Sequence, residues 1–429
     1  MKLLPRQSST RFPLSNKNAR LAHVEAIGHF ERGLAALAAL PPGQTRDRSE
    51  VELQLARGLS LFTAEGFSSA EAARAYARAR ELAEELGNPR QQFMAVYGQW
   101  QSANGTGMIR ECRRLSDRLL QLTARETDVG LRLQGHHSAW ATCLFSGEPA
   151  SARKHCDAGC QLYDPEQHRS HSLLYGGHDP GTCARFLGAM IYWSLGYPQQ
   201  ALTLSTEALA MAERLAHPLS LEIALLYGAM LHLDLGEPEL ALRRLDAAET
   251  LVADQRLGFI VEPHFLRGAA LTAQGAFGSA VACLREGLTT RLGMLRDRPY
   301  GLARLSEALA RQGENEAALA AAREGLEARE KTGNRQWEPE FQRHAGIALQ
   351  GLNRLEDAEH ALQEALRVAR TQQAKAYELR AAMSLARLWG EQGRRTEARE
   401  VLAPVYGWFT EGFDTADLKE AKKLLDELK

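Results

Sequence analysis

Between Pro299 and Asn334 the chain reads PYGLARLSEALARQGENEAALAAAREGLEAREKTGN, and the fold can be read from this stretch. Its first half opens on proline, which the first turn of a helix tolerates because the missing N–H would have no intrahelical acceptor there. Leu302, Leu305 and Leu309 then recur three and four residues apart, the stripe of a helix that buries one face. Gln312 to Asn315 make a turn, and the second half carries its own Leu/Ala stripe through Leu319, Ala322 and Leu326. It stops at Gly333-Asn334, the residue types that most easily take a left-handed helix cap. One such hairpin leaves an apolar face uncovered, and only a stacked neighbour can bury it.

The neighbours are visible outward from this unit. Turn glycines stand at Gly107, Gly147, Gly196, Gly236, Gly275, Gly313 and Gly393, with Asn353 filling the one gap, so that subtraction gives spacings of 40, 49, 40, 39, 38, 40 and 40. Repeats of about 20–50 residues mark stacked arrays, and a helical hairpin of about 34 is the tetratricopeptide unit, slightly shorter than this one. Five residues after the turns come Ala152, Ala201, Ala241, Ala280, Ala318, Ala358 and Ala398, with Cys112 as the exception. Seven residues before the last six turns stand Ala189, Ala229, Gly268, Ser306, Gly346 and Ala386; twelve after five of them stand Ala208, Ala248, Gly287, Gly325 and Ala365. Small residues at fixed offsets from a turn let two helices cross closely. The reading is an all-α protein of tetratricopeptide-like hairpins, nine or ten pairs stacked in a right-handed α-solenoid whose concave face is the expected interaction surface.

The ends depart from the repeat. Residues 1–18 read as a disordered polar leader, 19–403 as the array with a weaker early repeat turning near Gly66, and 404–429 as a capping segment. Pro404 is expected to break the last hairpin, Val405, Tyr406, Trp408, Phe409 and Phe413 to cover its interface, and Asp414 or Thr415 to cap a final charged helix.

Composition removes several functional classes. Lys+Arg 52 against Asp+Glu 53 leaves a formal charge of −1, so no global field draws the chain to nucleic acid or an anionic membrane. No stretch reaches the ~18 apolar residues of a membrane span, and the start lacks the apolar core of an export signal, which points to a soluble cytoplasmic protein. Cys112, Cys143, Cys156, Cys160, Cys183 and Cys283 therefore read as reduced, mostly packed thiols. The His136-His137 pair lacks a nucleophile elbow and reads as one packed and one exposed imidazole, Glu314 and Glu316 belong to a solvated helix face, and the six tryptophans read as mostly packing residues. NGTGM, Asn104 to Met108, has no lysine to reach a phosphate and is a turn. Neither a catalytic site nor a cofactor is expected.

One segment breaks the period, YDPEQHRSHSLLYGGHDPG from Tyr163 to Gly181, where the spacing swells to 49. Insertions in repeat proteins form loops on one face, often the binding face. Its Tyr163, Asp164, His168, His171, Tyr175, His178 and Asp179 are the candidate ligand- or partner-binding residues, close in sequence to His155, Cys156 and Cys160. A zinc site would use such side chains, yet the spacings match no finger or ribbon pattern. A small-molecule or peptide pocket and a structural loop packed against the groove remain as the other two readings.

VEAIGHFERGLAALAALP with ELQLARGLSLFTAEGFSSAEAARAYARARELAEELG, then QLYDPEQHRSHSLLYGGHDPGTCARFLGAMIYWSLGYPQQAL and QQAKAYELRAAMSLARLWGEQGRRTEAREVLAPVYGWFTEGFDTADLKEAKKLLDEL, carry a family likeness. The chain resembles the C-terminal tetratricopeptide region of bacterial regulators that join a class III adenylate/guanylate cyclase or winged-helix domain to a STAND-type ATPase. That resemblance implies a sensor, oligomerisation or partner-binding module, with a STAND ATPase or a cyclase as partner and pairing of two copies open to it. The chain lacks the phosphate loop, the cyclase aspartates and the winged helix, so ATPase and cyclase activity are not carried over and it reads either as a detached regulatory piece or as part of a larger regulator.

Overall fold

Every turn residue that the spacing marks has a positive φ: 76° at Gly107, 75° at Gly147, 91° at Gly196, 81° at Gly236, 80° at Gly275, 88° at Gly313, 58° at Asn353 and 78° at Gly393. A side chain in that region costs about 1–2 kcal/mol, least for Asn, which is why Asn353 alone substitutes for glycine. The computed structural model describes residues 16–175, 177–255, 257–290 and 293–429, with side chains from Ala22 onward. The described residues form helices and no strand. The expected leader lies mostly outside them, and the first described helix opens at Asn16.

After α1 (Asn16–Ala38) come nine hairpins. The first four are α2 (Gln44–Glu65) with α3 (Ala70–Leu86), α4 (Pro89–Gly105) with α5 (Ile109–Thr123), α6 (Val129–Phe145) with α7 (Pro149–Leu162), and, beyond the short α8 (His171–Leu174), α9 (Pro180–Ser194) with α10 (Pro198–Leu215). The next three are α11 (Pro218–Asp234) with α12 (Pro238–Gln255), α13 (Pro263–Ala273) with α14 (Phe277–Thr289), and α15 (Arg298–Gln312) with α16 (Asn315–Thr332). The last two are α17 (Glu338–Gly351) with α18 (Leu355–Thr371) and α19 (Lys375–Glu391) with α20 (Arg395–Tyr406), closed by α21 (Ala416–Glu427). Proline at the first turn of α4, α7, α9, α10, α11, α13, α15 and α17 starts many of them.

The small-residue register is the packing register. Ala152, Ala201, Ala280, Ala318, Ala358 and Ala398 are fully buried at the crossings. At Gly325 a Cβ would stand 2.2 Å from the Phe341 ring and at Gly268 2.4 Å from Leu284, so glycine is present there because a neighbour's side chain fills its place. The first helix of each hairpin faces inward: α9 is buried almost throughout, whereas α12 buries only Ala241, Leu245, Ala248 and Val252.

The solenoid winds tightly enough to touch itself one superhelical turn later. Arg335 N–H donates to Phe145 O at 2.8 Å, and Glu411 accepts from Gln199 N and Gln200 N, capping α10 from the far end of the chain. Turns Gly107, Gly147, Gly196 and Gly236 press on Arg296, Gln372, Trp408 and Ala416 respectively, while Gly275, Gly313 and Gly393 have nothing within 4 Å of a would-be Cβ. Across the bore Trp193 meets Tyr377 edge-on at 5.2 Å, so much of the concave face is consumed by closure and is no open groove.

The C-terminal segment takes part in this seam. Trp408 packs on Tyr197 and under Lys375, Phe409 is buried, and Phe413 stays exposed. Pro404 does not break the hairpin; it lies inside α20, in the last turn, where losing one N–H sacrifices a single hydrogen bond before the helix ends at Tyr406. Thr415 precedes α21, but its hydroxyl donates to Gly412 O at 2.7 Å and caps no amide.

Two alanine substitutions separate turn geometry from closure. Gly393→Ala should cost about 1–2 kcal/mol, the left-handed penalty alone. Gly196→Ala, whose Cβ would stand 2.6 Å from Trp408 and 2.8 Å from Lys375, should lose about 1–3 kcal/mol more by overpacking the seam. Urea denaturation of both measures this, and equal losses would mean that the seam contributes nothing.

Candidate functional site

The insertion folds back on its own array. Asp164 accepts from Glu166 N and Gln167 N, which turns the chain, and its own N–H donates to His168 Nδ1 at 2.9 Å. Asp179 is buried and caps α9 by accepting from Thr182 N at 2.7 Å; its second oxygen accepts from the Tyr163 hydroxyl at 2.8 Å and its N–H donates to Ser220 Oγ. His168 and His171 are buried edge to face at 4.9 Å, and Tyr175 stands edge-on to Tyr97 at 5.2 Å. Tyr163, Asp164, His168, His171, Tyr175 and Asp179 are thus engaged in holding the loop down. His178 alone of the seven reaches a cavity.

That cavity, about 460 Å³, lies inside the bore between α4, α6, α9 and α11, with Trp100, His137, His178, Phe186, Tyr227 and Arg296 in its wall. A polar chain joins it to the loop. The Gln134 amide donates to His171 Nδ1 at 2.9 Å, and its oxygen accepts from His137 Nδ1 at 2.9 Å, with the Tyr97 hydroxyl 3.0 Å from the same nitrogen. With Nδ1 carrying the proton, His137 Nε2 is left to face His178 Nε2 at 3.2 Å. His136, by contrast, is half-buried on the other side of α6 against His155.

Electrostatics make this wall a fixed one. Burial holds His137 neutral, well below its ordinary range, helped by its imidazole neighbours; burial first, then His217 and Arg296, pull His178 down to about 3. Arg296 is buried over the Phe145 ring at 4.4 Å, and although burial opposes its charge, Asp297 and the Tyr227 hydroxyl hold it protonated. The wall therefore offers aromatic faces, neutral imidazoles and one buried cation, a set suited to an occupant with an apolar body and a polar or anionic end. A second cavity, about 310 Å³, opens on the seam beside Trp193, Gly196, Asp234 and Phe409.

Sequence reasoning missed Trp100, His137, Phe186, Tyr227 and Arg296 as wall residues. A signal existed for some: His137 and Phe186 each stand ten residues before their turn glycine, by subtraction, as does Tyr97 beside His137. Large or polar side chains at that inward offset mark the bore. Arg296 had no such signal, because only closure brings residues 294–296 over α4 and α11.

Comparison with known proteins fits this architecture. No protein-family model matches the chain. An uncharacterized Rhizobium meliloti protein is 26% identical over 381 residues, 86% of this chain and 36% of that protein, so the chain spans about a third of its relative's length. Among solved structures, a Rap protein complexed with competence and sporulation factor is similar over 89% of this chain and 99% of that one, at 15% identity and a TM-score of 0.57. A Pyrococcus horikoshii STAND protein with a tetratricopeptide repeat sensor is similar over 98% of this chain and 62% of that one, at 12% identity and a TM-score of 0.40. The fold is a tetratricopeptide-like solenoid. No described helix is long and apolar enough to cross a membrane.

The buried loop histidine sets an acid limit. His171 is brought down to about 4 by burial and by His168, whereas in an unfolded chain it titrates near 6.5. The unfolded state then binds the extra proton, so stability is flat above about pH 7 and falls as pH drops from about 6.5 toward 4, by roughly 1–2 kcal/mol at pH 5 from this residue. Urea midpoints across that range should decline less steeply for His171→Gln; parallel slopes would refute the assignment.

Proposed function

We propose that the chain is a non-catalytic tetratricopeptide-type sensor that takes a short segment of a protein or peptide partner into the bore cavity. The observation that carries this reading is the cavity's wall, in which Trp100, Phe186 and Tyr227, on inner helices that face the bore, stand beside the buried Arg296. Tyr, Trp and Arg, which line the cavity, are the residues that most often anchor such contacts. The solved Rap protein is complexed with competence and sporulation factor, which agrees with a fold of this kind holding a signalling ligand. The partner to which occupancy is reported is a STAND-type ATPase or a cyclase, which the sequence resemblance supports; the Rhizobium relative, about two and a half times the chain's length, leaves room for further domains beside such an array.

A second reading, a small-ligand sensor, is favoured by one feature: the insertion supplies His178 to the wall, so the loop shapes the pocket without forming it. The two readings separate in one pair of measurements. Ala141→Leu and Leu187→Phe add bulk at two wall positions. Peptides selected from a random library on the purified chain should bind each filled variant about tenfold or more weakly, a loss of about 1.4 kcal/mol. Peptides that bind all three proteins equally would sink the cavity reading. Selection of none, with a small molecule retained in the native mass spectrum of the wild type and lost from the variants, would establish the second.

A further inference from the structure

The cavity wall holds three metal-ligating side chains that its packing does not require. His137 from α6, His178 from the insertion and Cys183 from the first turn of α9 place one ligand atom each within 4.8 Å of one another. The two imidazole nitrogens facing each other are 3.2 Å apart, and two nitrogens bound to one tetrahedral zinc at 2.0–2.1 Å stand about 3.3 Å apart. The Cys183 sulfur lies within 4.8 Å of both nitrogens, against about 3.5 Å in a tetrahedral zinc site, so the Cys183 side chain must close in on binding.

The surroundings are those of a ligand set. Gln134 Oε1 accepts from His137 Nδ1 at 2.9 Å, which fixes the tautomer that turns Nε2 toward the cluster, as the outer partners of metal-bound histidines do. Burial pushes the Cys183 thiol well up, opposed only in part by the wholly buried Trp140 indole N–H and by Arg296, so the thiol gives up its proton only in exchange for a metal. A thiolate is the form a metal binds.

We propose that His137, His178 and Cys183 bind one Zn²⁺ ion, with a fourth position facing the bore cavity. Binding exchanges the Cys183 thiol proton for the metal and moves the His178 proton from Nε2 to Nδ1, so a proton is released and no redox step is involved. Three protein ligands with an open fourth position are the arrangement of a site that accepts a donor from an incoming molecule. That last step alone rests on the cavity being the binding site; the metal site does not.

The test uses the full chain, stripped by chelator and titrated with Co²⁺ as a spectroscopic probe and then with Zn²⁺. One ion per chain and a sulfur-to-cobalt charge-transfer band are expected, the band lost in Cys183→Ser, binding lost in His178→Ala, and both kept in Cys160→Ser and His155→Gln. Gln134→Leu, which only positions His137, should weaken binding about 10–100-fold with the band retained. Absence of binding by the folded wild-type chain, or a band that survives Cys183→Ser, would overturn the proposal. Peptide selection repeated on the stripped and the loaded chain keeps the two readings distinct: metal bound with no peptide selected leaves the site standing and removes the sensor.

Discussion

Everything in this molecule depends on how closely two helices cross just after each turn. A residue with positive φ reverses the chain, and five residues later an alanine without exposed surface lets the second helix lie against the first. Repeating one crossing at one offset repeats one rotation, and a constant rotation per hairpin is a superhelix. Because the rotation is large, the seventh hairpin returns to the second, with Arg296 at the Gly107 turn and Gly333 against Arg110. The turns at Gly107, Gly147, Gly196 and Gly236 then carry a further constraint, since another part of the chain occupies the space a Cβ would need. Glycine at these four positions satisfies both φ and contact, while at Gly313 and Gly393 it satisfies φ alone.

Much of this is readable from the sequence, because both turn and crossing are local. The period located each turn residue, including Asn353, and the offsets located the buried alanines, since a helix's geometry fixes where residue five must point. The seam is not local. Nothing in EGFDT indicates that Glu411 will cap a helix that starts at Pro198, and nothing near Asn334 indicates that the next residue will donate to Phe145 O. The insertion's contacts are not local either: polar aromatic residues are costly to bury without partners, and the partners of His171, Asp179 and Tyr175, which are Gln134, Ser220 and Tyr97, lie on other hairpins. His137 looked like packing and is packing on one ring edge, with Gln134; its other edge lines the cavity.

The closed bore also holds charge that open solenoids leave to solvent. Asp234, with no exposed side-chain surface, accepts from Arg304 at 2.6 Å and Arg380 at 3.3 Å, and Arg380 reaches on to Asp417 at 2.8 Å. These four residues come from α11, α15, α19 and α21, with Arg304 lying over the Tyr300 ring and Arg380 over Trp193. Buried pairs of this kind add little net stability, because desolvation offsets most of the attraction, yet removing one partner leaves a buried charge alone. An array that slipped by one hairpin would leave Asp234 without both arginines. The network therefore penalises wrong windings more than it rewards the right one.

The two ends of the bore are not equally committed. From Phe93 to Leu428 one continuous core runs through the array, but Leu61, Phe62, Ala72 and Tyr76 of the first hairpin form a cluster of their own, as do Val51, Leu82 and Ala83. Stability in stacked repeats is a sum over units and neighbours, so the first hairpin, packed between α1 and α4 but outside the seam, opens at lower cost than the closed hairpins. Phe67, at the turn of that hairpin, is part of the cavity wall, whose other members belong to the closed region. The cavity wall thus joins the rigid part of the array to a looser one.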